Sequence, residues 1–112
     1  MENLLKEMGK RLVERRKQLR LTQEEVAERA DLTTQTISTA ETGKKALRPA
    51  NIISICAALD ISPDYLLLGK ISGEDLSILS QKISQLSPEQ YRHLEDVVDS
   101  FIAVAIPKGN KA

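Results

Sequence analysis

At 112 residues, with 29% charged and 41% hydrophobic side chains but only three aromatics (Tyr65, Tyr91 and Phe101), the chain suffices for one globular core of Leu, Ile, Val and Ala, a mix that favours helices and excludes wholesale disorder. No apolar run approaches the ~18 residues that cross a bilayer, the charged N-terminus lacks the apolar stretch of a signal peptide, and a single cysteine, Cys56, excludes an intrachain disulfide or a cysteine-rich zinc cluster, so a cytoplasmic protein with no membrane contact is expected. The formal net charge of zero hides an asymmetry: residues 1–70 hold twelve Lys/Arg against ten Asp/Glu (+2), and residues 71–112 hold four against six (−2), so what matters for a polyanionic partner is the sign of one face.

Leu5, Met8, Leu12 and Leu19, spaced 3, 4 and 7 apart, predict a first helix over about residues 2–19. Six bases crowd the stretch Lys10–Arg20 (Lys10, Arg11, Arg15, Arg16, Lys17 and Arg20) and read mainly as a solvated helix face. Thr22-Gln23-Glu24-Glu25 is a capping box that opens a second helix with Val26, Ala27 and Ala30 inward. The pair Glu24 and Glu25 needs no catalytic role, because carboxylates are favoured in a first helical turn. Asp31 stands at the turn and tolerates a left-handed backbone better than most residues. Thr33 caps a third helix with Ile37, Ala40 and Glu41 on one face, ended by Gly43.

A basic loop, Lys44 to Pro49, leads to a fourth helix over about Ala50–Leu59, with Ile52, Ile55, Cys56 and Leu59 inward. Cys56 on that apolar face reads as a buried structural thiol. Ser62-Pro63 opens a short fifth helix ending at Gly69. Composition shifts at Gly69–Gly73, so a boundary is expected between residues 1–70 and 71–112. Ser72 and Asp75 open a sixth helix whose Leu76, Leu79, Ile83 and Leu86 form a narrow seam. Ser87-Pro88-Glu89-Gln90 opens a seventh carrying Tyr91, Leu94, Val97, Val98, Phe101, Ile102, Val104 and Ala105, with Pro107 and Gly109 to stop it.

Two short helices joined by a tight turn, the second polar outside, suggest a helix-turn-helix. Ala27 falls where the two helices cross, and Ile37 anchors the second in the core. Thr34, Gln35, Ser38 and Thr39 are then left facing outward, and such short or amide-bearing side chains can hydrogen-bond base edges. Arg16 lies in line with the apolar stripe of the first helix and Glu41 on the inner face of the third. Two charges on core-facing stripes need partners, so each is assigned to the other as a structural ion pair.

The stretch Arg16 to Gly43, with Leu21-Thr22-Gln23-Glu24-Glu25-Val26-Ala27, Thr36-Ile37-Ser38 and Glu41-Thr42-Gly43-Lys44, resembles the Cro/CI-type (XRE) helix-turn-helix family; Ala58-Leu59-Asp60-Ile61-Ser62-Pro63-Asp64-Tyr65-Leu66-Leu67 matches the end of that domain. The resemblance covers about residues 5–69. It implies an all-α fold: a five-helix lambda-repressor-like DNA-binding domain, followed here by a C-terminal two-helix hairpin. It also implies a prokaryotic or phage-encoded, sequence-specific transcriptional regulator, most often a repressor, acting on double-stranded DNA through recognition helix 33–42. Thr34, Gln35, Ser38 and Thr39 are then the base-contacting residues. Gln23 would touch a phosphate and brace the recognition helix, and Thr33, Thr42, Lys44, Lys45 and Arg48 would hold the DNA backbone. Asp31 stands where the family often has Gly, which implies slight strain in the turn; Ala40 stands where it often has a larger apolar residue, which implies either a looser seat for the recognition helix or a neighbour that fills the space.

The last two helices could cover their own domain or form a dimer interface; the apolar surface of the last helix is too wide for one partner helix to cover, which favours a homodimer on a pseudo-palindromic operator with Leu94, Val98, Phe101 and Ile102 at the interface. With 42 residues after Lys70, too few for a self-cleaving or sensor domain, control is expected from an antirepressor, a protease, a toxin partner or concentration. The rival readings are the antitoxin of a toxin–antitoxin pair that autoregulates its operon, and a protein-interaction module without DNA binding. An enzyme is not expected: there is no glycine-rich phosphate loop and no nucleophile–base pair, and His93 stands alone, so neither cofactor nor metal is implied.

Overall fold

Side-chain caps set most of the helix starts. In a computed structural model describing residues 2–106, the elements are α1 (Glu2–Gln18), α2 (Gln23–Ala30), α3 (Thr34–Thr42), α4 (Pro49–Leu59), α5 (Pro63–Leu68), α6 (Gly73–Ile83) and α7 (Pro88–Ala105), with no strand among the described residues. Thr22 Oγ1 accepts from Glu25 N–H at 3.0 Å while Glu25 Oε1 accepts from Thr22 N–H at 2.9 Å, so the capping box satisfies two otherwise orphan donors. Thr33 is the N-cap of α3, accepting from Thr36 N–H at 3.1 Å. Ser62 and Ser87 cap α5 and α7 in the same way, each followed by proline at the first position. Asp31, Gly43, Asp60 and Gly69 end α2, α3, α4 and α5 in the left-handed conformation. At Asp31 (φ 57°) and Asp60 (φ 53°) this costs about 1 kcal/mol that glycine would not incur.

The basic cluster of α1 is only partly a solvated face. Arg15 Nε donates to Leu59 O at 2.8 Å and Arg11 Nη1 to Leu66 O at 3.0 Å, so two arginines close the carbonyl ends of α4 and α5. A cation there satisfies orphan carbonyls and opposes the negative end of each helix dipole. With Arg16 also bonded inward, Lys10, Lys17 and Arg20 remain as the exposed members.

The core holds Met8, Leu12, Val26, Ala27, Ala30, Ile37, Ala40, Ile55, Cys56, Leu59, Ile61 and Leu66. Helix α1 packs on α3 and α5, α2 on α3 and α4, and α4 on α5. Burial, followed by the nearby Glu74 and Asp75 carboxylates, pushes the Cys56 thiol up to about 11, away from the thiolate form. Gly9 lies at the closest approach of α1 to α3: a Cβ there would collide with the backbone carbonyls of Glu41 and Ala40. Ala40 is small for the same reason, and Leu5, Met8, Leu12, Leu47 and Leu66 close around it, leaving a hollow of only about 10 Å³. Helix α3 is therefore tightly seated: α1, with Leu47 and Leu66, fills the space beside Ala40.

The chain divides into two compact units, Met1–Ile78 and Leu79–Ala112. The division falls inside α6, beyond the composition shift at Gly69–Gly73. The first turn of α6 stays with the first unit because Asp75 accepts from Ser62 N–H (2.9 Å), Ser62 Oγ (2.6 Å), Ser72 N–H (2.9 Å) and Ser72 Oγ (3.1 Å). Burial alone would raise the Asp75 carboxyl, but these bonds outweigh it and hold the group below its ordinary value.

In the second unit the helical seam stops at Ile83, and Leu86 lies in the turn instead. Ser84 Oγ bonds back to Gln81 O at 2.7 Å, and the cap of α7 follows at Ser87. Neither α6 nor α7 contains a buried residue. The residues expected to stop α7, Pro107 and Gly109, lie outside the described residues.

Candidate nucleic-acid interface

A tight turn sets the angle between α2 and α3. Asp31 takes the left-handed conformation and Leu32 N–H bonds to Ala27 O at 2.9 Å, closing the end of α2. Ile37, fully buried, pins α3 from below. The 3.6-residue period then turns Thr34, Gln35, Ser38 and Thr39 to the opposite side, the first two exposed and the others half-buried. Gln35 Nε2 donates to Thr39 Oγ1 at 3.1 Å, and Thr42 Oγ1 donates to Thr39 O at 3.0 Å.

Behind this surface, Glu41 gathers three donors. Arg16 Nε reaches Oε2 at 2.6 Å, Arg16 Nη2 reaches Oε1 at 3.2 Å, and Gln23 Nε2 reaches Oε1 at 2.9 Å. Arg16 Nη1 also donates to Leu21 O at 2.9 Å. One carboxylate thereby ties α1, the start of α2 and the end of α3 together, with the fork of arginine matched to both oxygens. The side chain of Gln23 is directed at Glu41, so the amide braces α3 through its ion-pair partner.

An open groove of about 250 Å³ runs beside α3. Gln35, Thr36 and Thr39 form one wall, Lys45, Arg48 and Asn51 the other, and Ala40, Ala46 and Leu47 the floor. Lys44, Lys45 and Arg48 are exposed, and none of them forms an ion pair among the described residues. Sequence reasoning missed Thr36 and Asn51. Asn51 enters the groove only because the Lys44–Pro49 loop folds back to bring the first turn of α4 beside α3, a placement with no local signature. Thr36 was legible in principle, since it adjoins Gln35 and stands three residues before Thr39; in the structure its hydroxyl lies 2.8 Å from that of the cap Thr33. Thr33 and Thr34 open on a different hollow, shared with Glu24, Glu25 and Glu28. Among the described residues, no three His, Cys, Asp or Glu converge as a metal site requires, and no helix is long and apolar enough to cross a membrane.

A family model described as helix-turn-helix matches residues 12–66. The crystal structure of the P22 c2 repressor protein in complex with synthetic operator 9T is similar at 33% identity and a TM-score of 0.55, over 56% of this chain and 96% of that one. The restriction-modification controller protein C.AhdI from Aeromonas hydrophila is similar at 33% identity and a TM-score of 0.55, over 59% of this chain and 98% of that one. Among curated proteins the comparison found no match.

Proposed function

This chain belongs to the Cro/CI-type helix-turn-helix family of DNA-binding regulators, and from that premise we propose that it is a transcriptional repressor binding a pseudo-palindromic operator as a homodimer. The observation that carries this is the polar outer face of α3, held rigid by Ile37 and the Arg16–Glu41–Gln23 network and flanked by a groove with a cationic wall. In this reading α3 enters the major groove with Thr34, Gln35, Ser38 and Thr39 toward base edges. Lys44, Lys45 and Arg48 neutralise phosphates, joined by Thr33, Thr42 and Gln23 as hydrogen-bonding groups. Thr42 first releases its bond to Thr39 O, and Gln23 keeps one amide hydrogen on Glu41. Repression follows the likeness to the P22 c2 repressor, whose recorded complex is with an operator.

The two-fold symmetric arrangement is supported by α7. Phe101 is 70% exposed, Val98 and Ile102 are nearly half exposed, and Leu94 is half-buried, an apolar surface that a second copy would cover. Two recognition helices then meet half-sites one DNA turn, about 10 bp, or a multiple apart.

Selection of sites from random duplex DNA, followed by titration at fixed salt, tests the proposal. One palindromic consensus is expected, with Gln35→Ala losing about 1–3 kcal/mol on the best site and little on random DNA. Recovery of no consensus, or equal losses on both DNAs, would overturn it. Placing the recovered site over a promoter should lower reporter output when the protein is supplied; increased output would replace repression with activation.

A further inference from the structure

The bond between Gln35 and Thr39 has a chemical consequence. A glutamine amide offers two Nε2 hydrogens and one Oε1 acceptor. Thr39 Oγ1, one turn along the same face, takes one of those hydrogens at 3.1 Å. What Gln35 presents outward is then one donor beside one acceptor. The major-groove edge of adenine is the complement of that pair, an N7 acceptor beside an N6 donor, whereas guanine shows two acceptors, N7 and O6, and asks for two donors. An untethered glutamine can supply both Nε2 hydrogens to guanine, and Gln35 held by Thr39 cannot. We infer that Thr39 is a positioning residue that commits Gln35 to adenine over guanine. The inference rests on the reading of α3 as the base-contacting helix.

The neighbouring hydroxyls do not compete for this role. Thr33 and Thr36 face each other at 2.8 Å, and Thr42 Oγ1 donates to a backbone carbonyl. Thr39 accepts through its oxygen and keeps its own O–H free to donate to an acceptor on an adjacent base pair.

The test uses the full chain and duplexes that differ only at the position where Gln35→Ala becomes indifferent to the base. The parent should favour adenine there. Thr39→Val keeps the β-branched shape but removes the acceptor; it frees the second Nε2 hydrogen and should raise guanine relative to adenine about tenfold. Thr39→Ala should give the same ratio, and Thr39→Ser, which restores a hydroxyl, should return the parent ratio. Overall affinity falls in the first two because a polar contact is lost, so the ratio is the readout. An unmoved ratio, a move toward adenine, or a serine variant that behaves like valine overturns the inference while leaving the reading of α3 intact. A Gln35→Ala variant that costs nothing on the preferred site overturns the reading of α3 and the inference with it.

Discussion

Glu41 has a side chain only 6% exposed and Arg16 one 15% exposed, so water is a poor alternative partner for either charge. Removing one member of such a pair strands the other in a poorly solvated site, and the cost of stranding exceeds the net value of the pair. Glu41→Ala should lower stability by about 3–5 kcal/mol, seen as a large drop in the thermal midpoint; a melt that overlays the parent would contradict the burial argument. The pair itself was legible from two charges on apolar stripes. The inward turn of Gln23 was legible only in part: the resemblance implied a brace, but the partner, a carboxylate eighteen residues on, is a tertiary contact. Arg11 and Arg15 were least legible, because a surface arginine and one that closes another helix look alike until the carbonyl it meets is in place.

Helix α1 and helix α3 meet through their smallest residues. Gly9 interrupts α1 with the residue of least helix propensity after proline, at a cost of about 1 kcal/mol relative to alanine. Propensity alone therefore predicts that Gly9→Ala stabilises. The contact with the carbonyls of Glu41 and Ala40 predicts the opposite, because those atoms belong to backbone and cannot rotate away. Overpacking of this kind costs about 1–3 kcal/mol and wins; a calorimetric midpoint above the parent's would reverse the assignment. The loop after α3 answers to a different measurement. Lys45 is exposed on the groove wall with no carboxylate paired to it among the described residues. Lys45→Ala should weaken binding to every DNA sequence and reduce the slope of log affinity against log salt by about one unit. A changed sequence preference at an unchanged slope would move Lys45 from the phosphates to the bases.

At the scale of the whole molecule, a second unit with no buried residue in either helix has little reason to persist alone, since exposed apolar surface of this extent is unfavourable in water. The proposed dimer through α7 would make binding of a second half-site effectively intramolecular. Phe101→Asp should leave the first unit folded, yield a monomer by light scattering at micromolar concentration, and lose most operator affinity. A fragment of residues 1–78 should behave likewise. A cut at Lys70 removes Asp75, leaving the buried Ser62 N–H without its acceptor, so the longer fragment is the one expected to melt cooperatively. A dimeric 1–78 fragment would place the interface in the first unit instead.

The order of the seven helices among the described residues, most of their caps, the buried face of each of the first four and the outward set of α3 were determined by the sequence itself, because caps and the 3.6-residue period are local and need no knowledge of distant residues. The left-handed turn at Asp31 belongs with them. Only the tertiary structure decided that α1 closes on Ala40 where Gly9 lets the two helices approach, that Arg11 and Arg15 close two other helices, that Asn51 shares the groove with Gln35, and that Asp75 keeps the first turn of α6 with the first unit. Each depends on which atoms meet across many residues of intervening chain, and the physical reason is the same throughout. A polar or small side chain carries no sign of its partner, and close packing supplies one only after the helices have been brought together.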